Sequence, residues 1–155
     1  LITPLPAIDL IATSTINIQM ILEISKSFGY ELTKKEAVEL AKSMITVLAS
    51  MGIVKGGMNI ISNLLSVNFT TIFISKSLQS ITAAWIIKVV GISFTKYFQQ
   101  NQSWGDGGIQ DVVQEAYEIN KREDFMKEFI NEAVSRIKNN NFSKNKKLPP
   151  YPEID

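Results

Sequence analysis

The chain has 155 residues, with 16 Lys and Arg against 15 Asp and Glu, a formal net charge of +1, and neither His nor Cys. That length suits one domain able to bury its own core. The missing Cys excludes disulfides, thiolate metal sites and cysteine nucleophiles, and the missing His removes the usual general base and the commonest zinc ligand. A balance this near neutrality also argues against nucleic acid as a partner, because such binders concentrate Lys and Arg on one face.

Pro4 and Pro6 disfavour helix before them and suit a helix start after them, so a first helix is expected from near Ala7 to a stop at Gly29. Its uncharged stretch, Leu10 to Leu22, is interrupted by Thr13, Ser14, Thr15, Asn17 and Gln19 and is short for a bilayer span of roughly 20 apolar residues. Asp9 at its start reads as ordinary first-turn placement that complements the helix dipole. Thr33, with Glu36 three residues later, forms a capping box opening a second helix, in which Ala37, Leu40, Ala41, Met44, Ile45 and Leu48 recur at three and four. Gly52 and Gly56 stand in Gly-x-x-x-Gly spacing beside Gly57. A break or bend is the favoured reading over a close helix crossing, because Gly weakens a helix interior by roughly 1 kcal/mol relative to Ala.

A third helix is expected over Met58 to Leu65, followed by Asn68 as the N-cap of a fourth from Phe69 to about Gln99, roughly 45 Å long if straight. Asn101 to Gly108 reads as a loop, with Trp104 stapling a tight turn of Gly105, Asp106, Gly107 and Gly108. Two further helices follow. Ile109, Val112, Val113 and Ala116 make one apolar stripe, and Phe125, Met126, Phe129, Ile130, Ala133, Val134 and Ile137 make another out of phase with it. A break near Asn120, with Asn120 and Glu123 as a cap, explains the slip. From Asn139 the sequence is dominated by Asn, Lys and Pro and reads as a disordered tail. The expected fold is all-α: five or six helices bundled around one long hydrophobic helix, with a domain over 1–138 and a tail over 139–155.

Between Ser43 and Gly105 there is no Asp or Glu, and the only charges are Lys55, Lys76, Lys88 and Lys96. Such a run suggests burial, a membrane surface or a partner. On a helical wheel Lys76, Lys88 and Lys96 fall at about 0°, 120° and 200° of one another, so no single wet stripe emerges and only a subset is expected to touch lipid. Asn59, Ser62, Asn63, Thr70, Thr71 and Gln79 argue against full insertion, leaving peripheral or re-entrant association on the cytoplasmic side of a membrane as the expectation, and a soluble protein-protein interaction domain as the alternative. Asp111, Glu115 and Glu118, and again Glu128 and Glu132, have helical spacing that could gather carboxylates. A solvated helix face explains them better than a metal site, since carboxylate bundles need Glu-x-x-His pairs. The Gly105–Gly108 loop invites a phosphate, but no Gly-x-x-x-x-Gly-Lys-Ser/Thr occurs. No catalysis and no cofactor are expected, and the opening on Leu1 reads as a piece of a longer protein.

Leu5-Pro6-x-x-Asp9-Leu10, the run from Leu48 to Gly57, Ala83-Ala84-Trp85, Trp104-Gly105-Asp106-Gly107-Gly108 and Arg122-x-Asp124-Phe125 together resemble the YcjF-like domain of unknown function over roughly Ile2 to Lys138. The resemblance implies a helical, membrane-associated module of the kind found C-terminal to Era-like GTPase domains in cyanobacteria. A GTPase domain, in cis or in trans, is then the implied partner. It implies no catalytic or nucleotide-binding residues in this chain and leaves the oligomeric state open.

Overall fold

The structure is a computed structural model that describes residues 18–68 and 71–142, with only the backbone described at 68, 71–76 and 140–142. Six helices and no strand occur among the described residues: α1 (Ile18–Ser27), α2 (Lys34–Ser50), α3 (Ile53–Asn68), α4 (Thr71–Gln99), α5 (Gly108–Asn120) and α6 (Glu123–Phe142). The Pro4/Pro6 start, Asp9 and the tail beyond Phe142 lie outside the described residues.

Local chemistry sets most of the helix ends. α1 stops where Gly29 adopts φ +83° and donates its N–H to the Lys26 carbonyl at 2.9 Å. The Thr33 hydroxyl accepts from the Glu36 N–H at 3.1 Å while the Glu36 carboxylate accepts from the Thr33 N–H at 2.9 Å, the expected capping box. These hydrogen bonds, the Thr33 backbone one foremost, hold the Glu36 carboxyl below its usual range. Because the folded-state pKa is lowered, the stabilisation is complete above the unfolded carboxylate pKa and disappears as pH falls through the folded value. Glu36→Gln is therefore expected to be less stable than wild type near neutrality, with the difference shrinking as pH falls through the acid range, measured by urea unfolding across a pH series.

The glycines at 52, 56 and 57 divide into two roles. Gly52, with φ +66° and open space around it, makes the bend between α2 and α3, whose axes differ by 61°. Gly56 and Gly57 are not turn residues. α3 begins five residues before the expected Met58 and carries both inside its first turns, where they let other helices approach. A Cβ on Gly56 would sit 2.5 Å from the Tyr117 hydroxyl, and one on Gly57 would meet the Trp85 ring, with Cε3 at 2.7 Å. Packing against the Trp85 ring requires glycine at 57 and outweighs its low helix propensity, whereas at 56 the Tyr117 hydroxyl is the flexible end of a side chain.

Because Gly57 meets Trp85, α3 and α4 lie against each other as a helical hairpin; a continuous helix would put these residues roughly 42 Å apart. Asn68, expected to cap α4, instead closes α3. α4 is the centre of the bundle, in contact with α1, α3, α5 and α6. Trp85, Ile86, Val89, Val90 and Phe94 are fully buried along it, with Ile81 and Phe98 nearly so. Neighbours cover most sides of it, leaving Ser80, Ala84, Lys88 and Ile92 as an exposed stripe at intervals of four. α6 continues through Asn139 to Phe142, so helix extends into what reads as the start of a tail.

Asn120 ends α5 as the stripe slip requires, but does not cap α6. Its side chain is buried and donates to the Ala116 carbonyl at 2.7 Å, and its own carbonyl accepts the Trp85 Nε1–H at 3.3 Å. The carboxamide is spent inside its own helix, and its carbonyl satisfies the one polar group of the largest core side chain.

Candidate functional site

The turn after α4 is a packed structural corner. Trp104 lies against Tyr97 with ring centroids 4.4 Å apart and against Phe94 at 5.7 Å. Gly105 and Gly108 take φ +83° and +77°, and Asn101 and Gln102 take φ 59°, the left-handed region that Asn tolerates better than most side chains. The Asn101 carbonyl oxygen of the side chain accepts from the Tyr30 hydroxyl at 3.1 Å, tying the corner to the end of α1. Burial, assisted by the Glu36 carboxylate, pushes the Tyr97 phenol above its usual range, which fits a ring enclosed in this corner. The Asp111 carboxylate covers Gly107, and Asp106 is exposed. Gly105, Asp106, Gly107 and Gly108 thus form the expected stapled turn at the α5 start, with an acid where an anion would have to enter.

The four lysines do not form one patch. Lys55 is exposed at the start of α3. Lys76 lies in the second turn of α4, about 30 Å along the helix from Lys96. Lys88 and Lys96 flank a cleft of about 270 Å³ between α4, α5 and the start of α6. Lys96 donates to Glu115 at 2.9 Å, and the Lys88 ammonium sits 5.6 Å from the centre of the Phe129 ring. Ile92, Ile119 and Phe125 stand at the cleft, 42%, 45% and 37% exposed, above a floor that includes Val112 and Ala116.

The acids at helical spacing are drawn to cations. Glu118 pairs with Lys121 at 3.1 Å, Glu123 with Lys127 at 3.1 Å, and Glu132 with Arg136 at 2.8 Å. Among the described residues no group of three or more acids is placed to hold a metal ion. Sequence reasoning missed the cleft. Neither Ile92 nor Ile119 stands out in the sequence, and their exposure follows only from where α5 crosses α4.

The bundle is thus an all-α module organised on a central helix. The sequence model of the family described as a domain of unknown function (DUF697) matches residues 1–122, and the chain belongs to that family. The match ends at Arg122, so α6 lies beyond it. No curated protein and no solved structure matches the chain.

Proposed function

We propose that this chain is a non-catalytic helical module that associates with the cytoplasmic face of an anionic membrane through the α3–α4 hairpin, in the service of a GTPase domain in cis or in trans. The observation that carries the membrane reading is that the acid-free stretch folds into that hairpin. α3 carries Lys55 as its only charge, its outward residues include Asn59, Asn63 and Ser66, and Val67 stands 79% exposed beside the turn into α4. The sequence is uncharged from Gly56 to Ser75, and Lys76 stands about 8 Å along α4, a pattern that suits shallow insertion beside anionic headgroups. Ser77–Gln99 is long and apolar enough to cross a membrane, but half of it is buried against other helices, which favours peripheral or re-entrant contact over a span. The GTPase partner rests on the resemblance alone.

The absence of cysteine allows a direct test, because Val67→Cys would carry a single environment-sensitive fluorophore. On anionic vesicles the label is expected to shift to the blue, less so on neutral vesicles and less with added salt. Lys76→Glu is expected to weaken binding by about fivefold, from ~1 kcal/mol per basic residue near the surface. Lys96→Gln is expected to be nearly silent, because that ammonium already faces Glu115. A folded wild type that ignores anionic vesicles at low salt would leave the soluble interaction domain as the reading, for which the α4–α5 cleft is the supporting observation.

A further inference from the structure

The α4–α5 cleft carries an inference independent of the membrane reading. Three of the five large apolar side chains exposed among the described residues, Ile92, Ile119 and Phe125, are gathered there. Their surroundings are not uniformly charged. Lys88, Ile92 and Lys96 follow at intervals of four along α4, making a cationic row interrupted by one apolar residue. Asp111, Glu115 and Glu118 follow at four and three along α5, an acidic row of which Glu115 lines the cleft and Glu118 also holds Lys121 at 3.1 Å. The Lys96–Glu115 pair at 2.9 Å joins the two rows across the apolar seam.

From this juxtaposition, we infer that the cleft is an interface between two copies of this chain related by a two-fold axis lying along the seam. Under that rotation the α4 row of each copy faces the α5 row of the other, so Lys88 and Lys96 meet the partner's acidic row while the exposed apolar side chains cover one another. A two-fold axis across the seam would set like rows face to face, and is excluded by repulsion. An anionic membrane on this surface would meet the acidic row, and a strongly acidic or basic protein would meet one row of its own sign. A second copy satisfies both rows at once. Lys96 can keep Glu115 within the interface or exchange it for its counterpart, since exposed pairs of this kind contribute little in isolation.

The test uses the whole chain and a charge-swap pair. Sedimentation equilibrium at chain concentrations up to about 100 µM is expected to give a dimer for wild type. Lys88→Glu/Lys96→Glu makes both rows acidic, and Glu115→Lys/Glu118→Lys reverses two of the three acids of the α5 row, leaving Asp111. Each is expected to raise the dimer dissociation constant at least about tenfold when alone, and a one-to-one mixture is expected to recover association as a heterodimer. Helical circular dichroism checks that each double variant is folded. Ile119→Cys provides a second readout that leaves the charges intact, expected to form a disulfide-linked dimer under mild oxidation. A monomeric wild type throughout this range, double variants that self-associate as wild type does, or a folded mixture that stays monomeric would each overturn the inference.

Discussion

Ile81→Asp is expected to leave the chain without a cooperative unfolding transition at neutral pH and with most of its helical circular dichroism lost. Ile81 is 1% exposed in the middle of α4 and belongs to the core that joins α4 to its neighbours. The substitution removes about 2 kcal/mol of apolar burial and adds a carboxylate whose burial without a partner costs several kcal/mol more. A domain of this size has a total stability of only about 5–15 kcal/mol, so the two terms together take most of it. Ala84→Asp is the control on the same helix, because Ala84 faces solvent. It is expected to fold with a urea midpoint close to wild type. Equal behaviour of the two variants would contradict the orientation of α4.

Gly57→Ala is expected to destabilise the chain although it places a better helix former inside a helix. Helix propensity alone predicts a gain of about 1 kcal/mol. Against it stands the Trp85 ring, whose atoms occupy the place of the new methyl group. That ring is fully buried, donates through Nε1 to the Asn120 carbonyl, and meets Tyr117 edge-on with centroids 5.8 Å apart, so moving it disturbs three helices. Overpacking of this kind costs about 1–3 kcal/mol, and a net loss of that order should appear as a lower urea midpoint with an unchanged slope. Gly56→Ala is expected to be milder, because the obstructing atom is the terminal hydroxyl of Tyr117, a half-buried side chain. If Gly57→Ala raised the midpoint, the close approach of α3 to α4 would be refuted.

The residues that sequence reading interpreted correctly are those whose determinants lie close by along the chain. Thr33 and Glu36 announce a helix start because each completes the other's hydrogen bonds three residues away. Gly29 announces a stop because its own φ is left-handed. The recurrence of Ala37, Ala41, Met44 and Leu48 marks one face of α2 because a helix repeats every 3.6 residues. The Trp104 corner belongs here too, since Tyr97 and Phe94 are within ten residues of it. Even the all-α fold around a central helix follows from local information, because a helix apolar around most of its circumference has to be covered on most sides.

The tertiary structure alone decided the rest. Gly56 and Gly57 look like helix breakers until Tyr117 and Trp85 arrive from 61 and 28 residues further along the chain. Asn120 looks like a cap until burial turns its side chain back onto Ala116 and gives its carbonyl to Trp85. Lys76, Lys88 and Lys96 diverge around the helical wheel, but only the crossing of α5 over α4 gives Lys96 a carboxylate and leaves Ile92 and Ile119 in the open. The physical reason is common to all three. Propensity and capping are energies of roughly 1 kcal/mol, written into neighbouring residues. Excluded volume and buried hydrogen bonding between distant segments cost as much or more when violated, and they exist only once the helices are packed.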